Sequence, residues 1–164
     1  MGRIGTKRSD RRWEDEEGNA WASKLEATIY FDLSRDERIV VRRCERGGSD
    51  TFDYTSPVSS AVCLECGSTS VVQRRKYTPD LYVTPKSGRD VKSGYYIEIK
   101  GHFPGPKRTL LRHFLKTGPS IDLRMLLQRD GRATKKLNMI EYITKYMDIP
   151  VHVWDGQLQK DWYR

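Results

Sequence analysis

Asp80, Glu98 and Lys100 are the residues whose types and spacing point to chemistry. The stretch Gly94-Tyr-Tyr-Ile-Glu-Ile-Lys100 has the aromatic and β-branched content of a strand. Alternate side chains of a strand share a face. Glu98 and Lys100 therefore point one way, and Ile97 and Ile99 point the other way, into apolar packing. Residues 81–83 read as the preceding strand, and Pro85, Gly88 and Asp90 between the two are turn formers. A hairpin centred near Arg89 sets Asp80 opposite Glu98. Two carboxylates one strand apart repel each other unless a cation lies between them, and Mg²⁺ prefers such hard oxygen ligands. A metal held there activates water and stabilises charge on a phosphate under attack. The carbonyl of Ile99 is a further ligand candidate, and Glu26 can complete the carboxylate set. Lys100 is placed to orient water, to take part in proton transfer, or to stabilise the developing phosphorane charge. The competing reading is a surface Asp80–Lys100 salt bridge with Glu98 incidental. Pro79 before Asp80, the apolar strand into Glu98 and Gly101 after Lys100 favour the catalytic one.

These residues need a frame. Asn19 is positioned to cap a helix over 20–33, with Trp21, Leu25, Ile29 and Leu33 as its apolar stripe and Glu26 at its flank. Residues 38–43 read as a short strand. Residues 44–69 form the least regular stretch and hold all the cysteines, as a small insertion or subdomain. Strand character returns at 71–73. Residues 108–116 form a helix ended by Gly118-Pro119, 121–127 a strand, 137–147 an amphipathic helix stopped before Pro150, and 151–154 a last strand. Residues 1–18 read as a mobile charged arm and 19–164 as one mixed α/β domain.

The pattern Tyr77-Thr-Pro-Asp80 followed by Tyr96-Ile-Glu-Ile-Lys-Gly101 resembles the PD-(D/E)xK nuclease signature. More narrowly, the chain resembles the phage endonuclease I family of Holliday junction resolvases. Ser23-Lys-Leu-Glu26 matches that family's helix bearing Ser-x-x-Glu, and Pro119-Ser-Ile-Asp-Leu-Arg124 matches its Pro-x-x-Asp-x-Arg approach to the next strand. The resemblance covers most of 20–154. It implies a restriction-endonuclease-like mixed β-sheet core flanked by helices, with the cysteine-bearing segment as an insertion. It further implies an active site of Glu26, Asp80, Glu98 and Lys100, Mg²⁺ or Mn²⁺, a homodimer, and paired nicks across a four-way DNA junction. The chain departs from the family pattern in a long connection between Asp80 and Glu98 and in the cysteine-bearing segment.

Bulk properties agree with a polyanionic partner. The chain has 164 residues with 30 Lys and Arg against 22 Asp and Glu, a formal charge of +8, and a pI near 9.5. Arg74, Arg75 and Lys76 precede the proposed site, His102, Lys107 and Arg108 follow it, and Lys135 and Lys136 precede the last helix. All are candidate DNA contacts, and each cluster alone is equally well read as a solvated charged face. Cys63-Leu-Glu-Cys66 has the shape of a zinc knuckle, with Cys44 as a third thiol and no fourth cysteine. Three unrelated reduced thiols are the other reading. A non-catalytic zinc-knuckle protein that binds nucleic acid is the alternative function, and it leaves the co-facial Asp80, Glu98 and Lys100 unexplained. No apolar run spans a bilayer and no signal-peptide pattern opens the chain, so a cytoplasmic location is expected.

Overall fold

The computed structural model describes residues 13–14, 18–58, 65, 71–86 and 94–163. Its centre is a five-stranded mixed sheet. The strands are β3 (Ile39–Arg43), β6 (Leu81–Pro85), β7 (Tyr95–Lys100), β8 (Leu123–Leu127) and β9 (Val151–Val153), side by side in that order. The first two pairings are antiparallel and the last two parallel. The chain is therefore mixed α/β, with helices α1 (Lys24–Ser34), α2 (Gly105–Thr117) and α3 (Met139–Tyr146) flanking the sheet. Two two-stranded ribbons complete it: β1 (Trp13–Glu14) with β2 (Ala20–Trp21), and β4 (Phe52–Pro57) with β5 (Val72–Tyr77).

The pleat of β7 sorts its side chains between two cores. Tyr95, Ile97 and Ile99 join Ile29 and Leu33 of α1, Leu81, Val83 and Leu126 on one face. Leu123, Met125 and Leu127 of β8 meet Phe114 of α2 and Ile143 of α3 on the other. Each fully buried aliphatic or aromatic side chain contributes about 1.5–3 kcal/mol. β7 is thus held from both sides, and Glu98 and Lys100 belong to the α2 side with Tyr96. The expected hairpin has the expected register. Leu81 faces Ile97 and Tyr82 faces Tyr96, so the next pair outward is Asp80 and Glu98.

Two expectations are corrected. The first helix starts at Lys24, and its N-cap is Ser23, whose hydroxyl accepts from the Glu26 amide at 3.2 Å. Asn19 and Ala20 lie before it, and Trp21 is extended in β2 opposite Trp13. Trp21 shares helical spacing with Leu25 by coincidence, and its burial (3 % exposed) comes from the ribbon and from the Tyr30 and Phe31 rings. The stretch from Cys44 is also more regular than expected. Within it β4 alternates Phe52, Tyr54 and Ser56 at strand period, and Phe52 and Tyr54 pack on Phe114 of α2. The Thr117 hydroxyl donates to the Thr55 carbonyl at 2.8 Å and tethers ribbon to helix. This part of the expected insertion belongs to the main core. Cys63 and Cys66 lie outside the described residues.

Candidate functional site

The open end of the β6–β7 hairpin gathers the candidate residues. Asp80 stands just before β6 and Glu98 and Lys100 end β7. The ladder stops at Asp80, whose amide donates to the Ile97 carbonyl at 3.1 Å. Its carboxylate then turns across and accepts from the Ile99 amide at 2.6 Å. Glu98 is 5 % exposed. The Tyr77 hydroxyl donates to Glu98 Oε2 at 2.6 Å, and the Lys100 ammonium pairs with Glu98 Oε1. Glu26 reaches the group from the first turn of α1, where the Ser23 hydroxyl donates to its Oε1 at 3.2 Å.

The electrostatics are those of a crowded anionic site. Burial raises the Asp80 carboxyl well above its usual range, and the charges of Glu98 and Glu26 push it further. Lys100 and the Ile99 amide pull it down without offsetting this. Burial also raises Glu26, against the Ser23 hydrogen bond and the Lys100 charge. Burial alone would lower Lys100, but Glu98, Asp80 and Glu26 outweigh it and hold the ammonium above the lysine range. Burial and the nearby Glu98 charge keep Tyr77 a phenol that donates.

The donor set suits a hard divalent cation, because it is all oxygen and has more carboxylates than cations. Lys100 uses its carbonyl on the Gln128 amide of the β8 side at 3.0 Å. By strand alternation the Ile99 carbonyl is directed to the Asp80 side, as the ligand expectation requires. In this arrangement Lys100 and the Ile99 amide stand against the carboxylate oxygens. Among the described residues, no group of three or more His, Cys, Asp or Glu converges as a ready-made metal cage.

A cleft of about 780 Å³ opens beside Asp80 and Glu26, and Arg42, Arg43 and Arg46 line it. Sequence reasoning missed these arginines, since they lie at the end of β3 and just after it, far from the motif in sequence. Arg43 lies over the Trp21 ring at 4.1 Å and donates to the Ala20 carbonyl at 2.6 Å. Arg42 is bound to Asp50 at 2.5 and 2.9 Å. Cys44 faces the same cleft, and its amide donates to the Asp80 carbonyl at 3.1 Å. Burial first, then the Asp50 charge, push its thiol up to about 12. It is thus a protonated neighbour of the carboxylates rather than a ready thiolate.

The other expected DNA contacts are spread around the site. Arg74 and Lys76 are exposed on β5, while Arg75 Nε donates to the Ser56 hydroxyl at 2.8 Å. His102 and Lys107 are exposed, on the path from Lys100 into α2. Arg108 is engaged otherwise. It donates to the Phe103 carbonyl at 3.2 Å and lies over the Tyr142 ring at 4.9 Å, so it joins α2 to α3. Lys135 and Lys136 are exposed before α3. Comparison with protein-family models, with curated proteins and with solved structures returns no match to this chain.

Proposed function

We propose that the chain is a metal-dependent, structure-specific endodeoxyribonuclease that hydrolyses phosphodiester bonds in branched DNA. The observation that carries this is the assembly of Asp80, Glu98, Lys100 and Glu26 from separate elements at one sheet end, with three carboxylates around one ammonium. Asp80, Glu98 and the Ile99 carbonyl, with Glu26 beside them, would hold Mg²⁺ or Mn²⁺. The ion supplies water activation and charge neutralisation at the scissile phosphate. In hydrolysis the water oxygen joins phosphorus, the bond to one sugar oxygen breaks, and that oxygen takes a proton. Lys100 keeps its proton in this setting, so it acts as a cation beside the phosphate and as a donor rather than as a base. Tyr77 fixes the Glu98 carboxylate. Arg43 and Arg46 of the cleft offer the phosphates a cationic wall beside the carboxylates.

The branched substrate, the paired nicks and the homodimer rest on the resemblance of Ser23-x-x-Glu26 and Tyr77-Thr-Pro-Asp80 to the resolvases, and the proposed setting is the cytoplasm, that of the host cell if a phage encodes the chain. A restriction-endonuclease-like nuclease cutting linear duplex would use the same residues. No helix among the described residues is long and apolar enough to cross a membrane.

The test is cleavage of a labelled four-way junction and of matched linear duplex, in Mg²⁺ or in EDTA, by the wild type and by Glu98→Ala. Metal-dependent paired nicks in the junction, absent from the variant, are expected. Equal cutting of linear duplex removes the junction assignment and keeps the site. Binding without cutting in either Mg²⁺ or Mn²⁺ removes the enzyme and leaves the zinc-knuckle binding protein.

A further inference from the structure

A second cationic surface lies away from the carboxylates, between α2 and α3. It is a groove of about 580 Å³ lined by Arg112, Lys135, Lys136, Lys145, Tyr142 and Tyr146 among others, and no carboxylate among the described residues lines it. Its walls are built by stacking. Arg108 and Arg112, one turn apart on α2, lie over Tyr142 at 4.9 Å and over Tyr146 at 5.2 Å, one turn apart on α3. Lys145 approaches the Tyr146 ring at 5.3 Å. Tyr146 is 43 % exposed, one of the few large apolar side chains left open to solvent. Arg112, Lys135, Lys136 and Lys145 are all exposed.

Gathering four cations costs repulsion and helps no core. An exposed tyrosine among them offers a face on which a base or sugar can stack. The charge complements a polyanion, and the aromatic face selects one that carries bases. Arg112 lies about 10 Å along the α2 axis from the helix start, itself a few residues after Lys100, which is about three base steps of a duplex.

We infer that this groove is a second nucleic-acid site, which holds the phosphodiester backbone of the DNA flanking the cut and packs a sugar or an unpaired base of that DNA against Tyr146. The inference deepens the nuclease reading and rests on it for the identity of the strand bound.

The test is read by binding, so that it stays separate from catalysis. Anisotropy of a labelled DNA duplex with a single-stranded tail is followed across a salt series in EDTA, with every protein carrying Glu98→Ala. The groove set is Arg112→Gln, Lys135→Gln, Lys136→Gln and Lys145→Gln together. The control set removes as many exposed cations elsewhere: Arg35→Gln, Lys86→Gln, Arg129→Gln and Lys160→Gln. Each phosphate deprived of its cation takes about 0.9 from the slope of log K against log salt, so the groove set should lower it by about 3–4 and the control set by less than about 1. Tyr146→Ala should weaken binding about tenfold with little change in slope. Lys135→Gln with Lys136→Gln, both outside the helices, gives a milder variant that should lower the slope by about 1.5–2 should the larger set fold poorly. Equal losses in both sets, or none in the groove set, overturn the inference. A wild type that binds in this pattern but never cuts leaves the groove standing and removes the nuclease.

Discussion

Asp50 and Glu98 are both almost inaccessible carboxylates, 3 % and 5 % exposed, and both take a tyrosine hydroxyl. Tyr96 donates to Asp50 at 3.2 Å and Tyr77 to Glu98 at 2.6 Å. Asp50 is paired one to one with the Arg42 guanidinium, which holds its carboxyl below the usual range. Glu98 shares the single Lys100 ammonium with Asp80 and Glu26, and the proton affinities of both neighbours rise. Burial of charge is therefore no sign of function by itself. Asp50 is neutralised within the fold, whereas the Glu98 cluster is left short of positive charge. On the proposed nuclease reading, that deficit is what a bound cation or a phosphate transition state would offset.

The comparison breaks most sharply by substitution. Glu98→Ala should lower the cutting rate by about a thousandfold or more, and Lys100→Ala by about a hundredfold to a thousandfold, as in loss of preorganised charge at a reacting phosphate. Gel assay under single-turnover conditions reads both. Asp50→Ala should do the opposite. It strands Arg42 and the Tyr96 hydroxyl and costs about 2 kcal/mol, less than a fully buried pair because Arg42 is half exposed. Thermal melting should fall while cutting, measured well below the transition, holds. A large loss of cutting at full stability would place Asp50 with the chemistry and end the contrast.

A smaller effect sharpens it. Tyr77→Phe removes the donor to Glu98 and should weaken Mn²⁺ binding about tenfold, as outer hydrogen bonds to metal ligands do, with melting little changed. The smallest effect is the most diagnostic. Asp80→Asn should raise the melting temperature by about 2–4 °C in EDTA while it abolishes cutting. The sign follows from the raised carboxyl of Asp80. Well below its ordinary value of 3.8, Asp80 is protonated whether folded or unfolded, so the asparagine gains nothing there. As pH rises through the folded value, the wild type loses stability by ionising next to Glu98 and the variant does not. The gain should therefore be absent in acid and grow as pH rises above 3.8 toward the raised folded value. A destabilised Asp80→Asn at neutral pH would mean that the pairing with Lys100 dominates, as at Asp50.

Much of this is legible in the sequence where the signal is local and periodic. The alternation in Tyr95–Lys100 and the turn residues before it set the register that places Asp80 against Glu98. Ser23 is passed over as the cap because Trp21 continues the helical spacing one turn too early, although Ser23-Lys-Leu-Glu26 has the spacing of a capping box. β4 is hidden by its Gly and Ser neighbours, although Phe52, Tyr54 and Ser56 do alternate. Arg42, Arg43 and Arg46 reach the cleft through the sheet order, which sets β3 beside β6. A helix-opening arginine such as Arg108 reads the same in sequence whether it meets phosphate or the ring of Tyr142. Such long-range partners leave no spacing to read.

The proposed active-site residues occupy the open end of the β6–β7 hairpin, and the connection leaves from the opposite end, after Lys86. Six residues of extended chain separate Asp80 from Lys86, about 20 Å. The connection can therefore be lengthened, tagged or cut without moving Asp80 against Glu98, provided the ladder from Leu81 to Val83 is kept. Gly94 marks the limit of that freedom, because a Cβ there would lie 2.3 Å from the Val83 carbonyl. A reporter domain inserted between Lys86 and Gly94 should therefore leave cutting at the level of the parent.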